Sequence, residues 1–417
     1  MTWGTPLKQN ALRILLLGSG ELGKEMVIEL QRHGIETIAA DSSGGAPAHA
    51  VAHRHHIIDM FDPEALQHVI GQERPHFILT EVETVNVDVL AQAEAAGIRV
   101  VPNSRTVALT LNRESIRRLA VEELGIPAGP ARTVSSYDAF QETITQMGLP
   151  CFVKPASSAH GQGLTLVTHS GETAAAWNCA AQASRRNHAS QVIIEKAVDF
   201  DFEITLLAVN AVNGLHFCEP IGHQHRPGSY CQSWQPQSMS AAALGKAHDY
   251  AEKIVRALGG HGVFSVELFI KGDQVWFSEV SARPHDTGYV TQLSQNINQF
   301  ALHVRAMLDL PVPEIKLIRP SACAVILAER PGQFITYSGM DEALAIPEAR
   351  LRIFGKPNAR LHRRLGLVMA GADTIETACK RACEAASKIT LSITDDPPGP
   401  CREPGERENT QPSNAGP

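Results

Sequence analysis

The run Val263-Phe-Ser-Val-Glu267-Leu-Phe-Ile270-Lys-Gly-Asp-Gln274-Val-Trp-Phe-Ser-Glu279-Val280 contains two apolar, β-rich segments around the turn Lys271-Gly-Asp-Gln274, and each segment carries one glutamate. In a hairpin centred on Asp273, positions 267 and 279 fall opposite each other with their side chains on one face. Two carboxylates facing each other on otherwise apolar strands repel unless something positive lies between them. Mg²⁺ bridging nucleotide phosphates suits that place, because it is a hard cation held by one or two carboxylates plus phosphate oxygens. The competing reading is a hairpin in another register with two solvent-facing acids, and the apolar neighbours argue against it. The polar segment Ser281-Ala-Arg283-Pro-His-Asp286 leaves the second strand with charges suited to a substrate amine and phosphates.

A second cluster lies upstream. Lys154-Pro155 ends a short strand, and a loop of small residues runs through Gly161-Gln-Gly163 into the strand Leu164 to Thr168. A strand lysine beside a glycine loop holds and covers ATP phosphates where no Walker motif is present, and no G-x-x-x-x-G-K-[ST] occurs here. Taken alone, the same residues also fit an ordinary hairpin with a surface lysine. Near the N-terminus, the strand Leu12 to Leu17 runs into Gly18-Ser-Gly20-Glu-Leu-Gly23 and a helix through Leu30. Glycines there permit close backbone approach, and the helix N-terminus presents unpaired N–H groups to an anion. Asp41 ends the next strand, where a dinucleotide enzyme would hold a ribose hydroxyl. Three readings stay open on these residues: NAD, a phosphorylated substrate, or a tight turn without ligand. Lys356 and the pair Arg363-Arg364 form a small basic group suited to a phosphate monoester, or simply a solvated patch.

Strand–helix alternation over residues 1–112 predicts a Rossmann-like parallel sheet. Residues 113–320 read as a mixed domain carrying both clusters, 321–392 as a small C-terminal domain, and 393–417 as a disordered tail rich in Pro, Gly, Glu, Asn and Ser. The fold class is thus α/β and α+β. The 417 residues carry 37 Lys plus Arg against 44 Asp plus Glu, a net charge of -7 that argues against nucleic acid as a partner. The apolar run Ile14 to Leu17 is far shorter than the roughly 20 residues of a membrane span, and no signal peptide is expected. Eight scattered cysteines without a C-x-x-C pair point to reduced thiols and a cytoplasmic setting. His49, His53, His55 and His56 lack a metal-ligand spacing, and Cys379 and Cys383 read as packing thiols.

Together these stretches resemble the ATP-grasp superfamily and, within it, the formate-dependent phosphoribosylglycinamide formyltransferases. The likeness rests on Leu15-Leu-Leu-Gly-Ser-Gly-Glu-Leu-Gly-Lys24, Asn112-Arg-Glu-Ser-Ile-Arg-Arg-Leu-Ala120, Asp201-Phe-Glu-Ile-Thr-Leu206, Ser233-Trp-Gln-Pro-Gln237, Val266-Glu-Leu-Phe269 and Arg283-Pro-His-Asp-Thr-Gly288. Phe354-Gly-Lys-Pro357 and Arg363-Arg-Leu-Gly366 extend it, so that it covers Leu12 to about Ile389. The resemblance implies an ATP-grasp fold, with ATP, formate and phosphoribosylglycinamide as substrates, Mg²⁺ as cofactor and a homodimer as the assembly. It implies that Glu21, Leu22, Glu81, Asp286, Lys356, Arg363 and Arg364 bind the ribosyl-glycinamide. It further implies that Arg113, Lys154, Ala159, His160, Gly161, Gln162, Gly163, Leu164, Glu195, Lys196, Ala197, Val198 and Glu203 bind ATP, with Glu267 and Glu279 as magnesium ligands. Lys154 and Asp286 are the candidate catalytic residues. On this reading the Gly18 loop receives a substrate phosphate rather than NAD. The alternatives are a related ATP-grasp carboxylase or ligase, an NAD oxidoreductase, and a non-catalytic nucleotide-binding protein. The family's phosphate-covering loop usually has a serine run followed by Gly-Lys-Gly, where this chain has Ser158-Ala-His-Gly-Gln162-Gly163. Restoring the cation by Gln162→Lys is expected to tighten ATP binding by about 1 kcal/mol, several-fold in the dissociation constant measured by calorimetric titration.

Overall fold

A computed structural model describes residues 2–82, 84–156, 163–186, 191–226 and 229–395. Five short strands, β1 (Arg13–Leu17), β2 (Glu36–Asp41), β3 (Arg54–Ile57), β4 (Phe77–Thr80) and β5 (Arg99–Val101), form a sheet in the order β3-β2-β1-β4-β5. Every pairing in it is parallel, as the strand–helix alternation predicts. Helices cover both faces of such a sheet, which is why β1 and β4 read as unbroken apolar runs rather than alternating ones. The third strand begins earlier than the apolar pair Ile57-Ile58 suggests, because Arg54, His55 and His56 supply its pairing with β2. His56 then binds Glu73, and His53 accepts from the Thr37 amide, so these histidines serve structure.

The chain leaves β1 through Gly18, whose φ of +98° is open to glycine at little cost, and enters the helix Glu21–Arg32. Gly23 sits in its first turn, and a Cβ placed there would lie 2.7 Å from the Gly18 carbonyl oxygen. The missing side chain therefore allows the helix N-terminus to fold back against the loop.

A second, four-stranded sheet contains β6 (Ala131–Val134), β7 (Cys151–Pro155), β8 (Thr165–Val167) and β9 (Val192–Lys196) in the order β6-β9-β7-β8. The helices Tyr137–Met147 and Thr173–Arg186 pack on it through Phe140, Ile144, Ala176 and Ala180. Lys154 and Glu195 are carried by its neighbouring strands β7 and β9.

The largest sheet has nine strands. It includes β10 (Phe202–Ala211), β11 (Gly214–Phe217), β12 (Ile221–Arg226), β13 (Ser229–Gln235), β14 (Gly262–Lys271) and β15 (Gln274–Ser281). It continues through β16 (Ser321–Leu327), β18 (Arg350–Ile353) and β19 (Arg364–Gly371), so the sheet does not stop at residue 320. Between these last strands, β17 (Phe334–Ser338) pairs instead with the terminal β20 (Thr390–Thr394).

One face of the sheet presents Ile204, Leu206, Val266 and Leu268 to the helix Ala241–Leu258, whose Ala243, Ala247 and Ala251 permit close approach. The opposite face carries Glu203, Thr205 and Glu267, by the period-two alternation of strands. Farther along that face, Leu207, Val209 and Val263 share a core with the helices Gln299–Met307 and Glu21–Arg32. This packing fixes the parallel-sheet domain against the large sheet.

The hairpin β14–β15 differs in detail from the expected one. Its loop is the two residues Gly272 and Asp273, with Lys271 paired to Gln274. Continued regularly, that register would set Ser278 opposite Glu267. A β-bulge between Glu267 and Leu268 takes up one residue and brings Glu279 opposite Glu267. The opposition of the two glutamates thus holds, but a bulge produces it. Among the described residues no helix is long and apolar enough to cross a membrane. Gly23→Ala is expected to destabilise the protein by about 1–3 kcal/mol through the clash with Gly18, read as a lowered denaturant midpoint.

Candidate active site

Glu21 opens the first helix, and its N-cap Gly20 makes no side-chain cap bond. The carboxylate is buried, 2.8 Å from Lys356 Nζ and 3.4 Å from Arg364 Nη2, both contributed by the C-terminal part of the chain. Burial by itself would raise the Glu21 carboxyl, yet Lys356 and Arg364 outweigh it and hold the group below its usual range. Arg364 also meets Asp286 at 2.8 Å. Four residues from three distant parts of the chain therefore meet in one ion-paired cup. Glu81 lies against the adjoining loop: a Cβ at Gly18 would meet its Oε2 at 2.9 Å. Leu22 belongs to the core behind the cup, which leaves its main chain as what it can offer a ligand. Arg363 differs from its neighbours because Nη1 bonds to the Asn358 carbonyl at 3.1 Å rather than to a carboxylate. Burial, with Arg360 nearby, pushes its guanidinium down from the usual value. A half-buried cation whose bonds, among the described residues, go to a neutral asparagine is well placed to receive an anionic ligand.

Asp41 does not serve a nucleotide. Its carboxylate accepts from the main-chain N–H of Ser19 at 2.8 Å and of Ser43 at 2.8 Å, closing the glycine loop on itself.

The second group of charges lies on the polar face of the large sheet and the adjoining β7–β9 strands. Glu195 accepts from Arg117 Nη1 at 2.9 Å and pairs with Lys154. Its burial would raise it, but Lys154 and Arg117 hold its carboxyl below the usual range. Glu279 meets Arg113 Nη1 at 2.8 Å, and Glu267 Oε1 meets His285 Nε2 at 2.8 Å. Burial alone would raise Glu267 too; His285, with His223 and His225, drives it far below the carboxylate range. The repulsion between the opposed glutamates is thus relieved in this structure by an arginine and a histidine. Glu203 is pushed up to about 8, first by burial and then by Glu267. That face holds more carboxylates than it can keep ionised, and such a donor set fits a hard divalent cation.

His285 and Asp286 are adjacent in sequence, and they connect the two groups. His285 faces Glu267 while Asp286 faces Arg364. The backbone at His285 is extended, with φ −115° and ψ 153°, so neighbouring side chains diverge and one short loop serves both.

Lys196 is turned to structure, its Nζ donating to the Leu149 carbonyl at 3.0 Å. The amides of Lys196 and Ala197 donate to Pro130 and Pro150, and Val198 packs over Gly129. These contacts hold the Glu195–Val198 segment in a set position beside Arg117. Gly163 and Leu164 follow Lys154 in the strand pair β7–β8. Ala159, His160, Gly161 and Gln162 lie outside the described residues. Sequence reasoning assigned no role to Arg117, His223, His225 or His285. Two histidines separated by one residue on a β-rich stretch were the available signal for His223 and His225, since alternation sets both on one face.

Comparison with known proteins follows this geometry. Residues 12–110 match the ribonucleotide synthetase preATP-grasp domain family, residues 119–300 the ATP-grasp domain family, and residues 321–389 the family described as PurT, C-terminal. The formate-dependent phosphoribosylglycinamide formyltransferase of Methylococcus capsulatus is 51% identical over 395 residues, covering 93% of this chain and 98% of that protein. The protein of the same name from Vibrio cholerae is 49% identical over 389 residues, with 93% and 99% covered. The solved glycinamide-RNase-transformylase T of Mycobacterium tuberculosis superposes with a TM-score of 0.75 at 36% identity, over 91% of this chain and all (100%) of that one. An ADP complex of N5-carboxyaminoimidazole ribonucleotide synthetase reaches a TM-score of 0.79 at 24% identity, over 92% and 97%, which speaks to the fold alone. With an ATP-grasp domain set between a preATP-grasp domain and a PurT C-terminal domain, and with relatives about half identical over nearly the whole chain, the chain belongs to the formate-dependent phosphoribosylglycinamide formyltransferase family.

Proposed function

We propose that this protein formylates the amine of phosphoribosylglycinamide, using ATP and formate. The observation that carries the reading is the loop His285-Asp286, which couples the carboxylate face of the ATP-grasp sheet to the ion-paired cup at Glu21. A reaction in two stages needs two such neighbouring sites. In the first, a formate oxygen takes the γ-phosphoryl group and ADP leaves. In the second, the amine nitrogen attacks the formyl carbon of formyl phosphate and inorganic phosphate departs.

Lys154 stands beside Glu195 and close enough to Glu203 to act on its charge, which suits it to the phosphates of ATP. Arg117 and Lys154 together fix the Glu195 carboxylate, and Arg113 fixes Glu279. Glu267 and Glu279 would hold Mg²⁺, each engaging one oxygen in its present ion pair. When bound, the cation offsets charge on the transferring phosphoryl group. In the cup, Lys356, Arg363 and Arg364 suit the substrate phosphate, together with the uncapped first turn at Glu21. Asp286 suits the glycinamide amine: it is an anion held in place by Arg364 beside the loop that reaches Glu267. Formyl phosphate is labile in water, so closure over the site belongs to this reading. The homodimer and cytoplasmic setting implied by the family resemblance complete it.

The deciding assay is phosphate release. It is expected to require formate and the ribosyl-glycinamide together, and release with bicarbonate in place of formate would indicate a carboxylase instead. Glu279→Gln is expected to leave the fold intact by circular dichroism and to abolish turnover; near-normal turnover at ordinary Mg²⁺ concentration would remove the metal assignment. Arg363→Ala is expected to raise the KM for the ribosyl-glycinamide by about ten-fold or more, the equivalent of one charged hydrogen bond, with ATP affinity unchanged. A fall in ATP affinity instead would mean that Arg363 faces the nucleotide.

A further inference from the structure

His223 is a buried histidine on the polar face of the large sheet whose place the proposed reaction does not explain. Ile204 pairs with Gly222 across β10 and β12, so Glu203 and His223 are the next residues along facing strands. Both point away from Ile204, which packs on the helix side. His223 Nδ1 lies 3.9 Å from Glu203 Oε2, and His225 Nδ1 lies 3.8 Å from the same oxygen. One ligand atom from each of the three residues falls within 4.8 Å of the other two.

The pairing of β12 with β13 shifts register between Gln224 and His225, so His225 sits at an irregularity in the strand. The His223 and His225 rings meet edge to face, with centroids 5.2 Å apart. His223 is 5% exposed; the Ile204 main chain approaches its ring, but no ring-nitrogen hydrogen bond of good geometry forms among the described residues. A buried imidazole normally has a partner at one nitrogen at least. Here Nδ1 is turned toward a carboxylate but remains beyond hydrogen-bond reach of it.

We propose that Glu203, His223 and His225 form a site for a borderline divalent transition ion such as Zn²⁺, separate from the Glu267/Glu279 pair. Two imidazoles and one carboxylate select such an ion over Mg²⁺, which takes oxygen ligands. Ligand atoms around a tetrahedral ion lie about 3.3–3.6 Å apart when the bonds are 2.0–2.2 Å. The two separations from Glu203 are longer by roughly half an ångström or less, and the two histidine nitrogens lie within 4.8 Å of each other, so the Glu203 carboxylate and the half-exposed His225 side chain would both have to move inward to close the set. Three protein ligands leave the fourth position open. If Glu203 contacts ATP, as the family resemblance implies, the ion and the nucleotide compete for it. This consequence rests on that reading, whereas the site does not.

The test uses the full-length protein in excess Mg²⁺, with Co²⁺ as the probe, followed by equilibrium dialysis and its visible absorption. The expected result is one Co²⁺ per chain, displaced by Zn²⁺, with affinity at least about ten-fold weaker in His225→Gln. His225→Gln should retain its circular dichroism. Equal Co²⁺ binding in wild type and His225→Gln, or no saturable binding in either, overturns the site. MgATP is then added at the same excess of Mg²⁺, which prevents free nucleotide from chelating the probe. It should weaken Co²⁺ binding by the same factor as Co²⁺ weakens ATP binding. Independent binding of the two overturns the competition, and with it the place of Glu203 beside the nucleotide, while the dialysis result still decides the metal site.

Discussion

The buried carboxylate of Glu21 organises this molecule. It stands at the start of the first helix and is neutralised by Lys356 and Arg364, more than 330 residues later in the chain. An anion in that position would be costly without partners, and the partners would be costly without it. The C-terminal strands must therefore close onto the N-terminal domain for either to be satisfied. Asp286 extends the arrangement to a third part of the chain through Arg364. The resulting cup exists only when all three regions are in place.

The polar face of the large sheet follows a different logic. Its back is an apolar seam against the helix Ala241–Leu258, where alanines let the helix lie close. Because strand residues alternate, a seam of Ile204, Leu206, Val266 and Leu268 obliges Glu203, Thr205 and Glu267 to face the other way. The β-bulge near Glu267 then adds Glu279 to them. Burial, and after it the neighbouring Glu267, raises the Glu203 carboxyl, while Arg113, His285 and Lys154 balance the remaining carboxylates. Charged groups placed so closely, and only partly compensated, are what a site for phosphates and a divalent cation requires.

The short loop from Arg283 to Asp286 joins the two regions. One residue of it answers to Glu267 and the next to Arg364. A two-stage reaction with a labile intermediate benefits from sites this close, since the intermediate has little distance to cover. His223 and His225 stand at the margin of the same face, where the sheet supplies softer ligands.

Much of this was legible in the sequence because it is local. The parallel sheet follows from apolar runs alternating with helical periodicity, and the tight strand–helix turn from glycines at 18, 20 and 23. The opposed glutamates follow from two β-rich segments about a turn of known chemistry. The individual charged residues could be named because the motifs around them are long. What the tertiary structure decided is partnership. No spacing in the chain relates Glu21 to Lys356, and none reveals that Asp41 accepts from the Ser19 amide or that His285 faces Glu267. The bulge that aligns Glu279 also left no mark in the hydrophobic pattern, because one extra residue in a strand alters register without altering composition. Local periodicity and turn chemistry therefore settled the elements, while long-range charge pairing, which depends on where distant segments meet, settled the site.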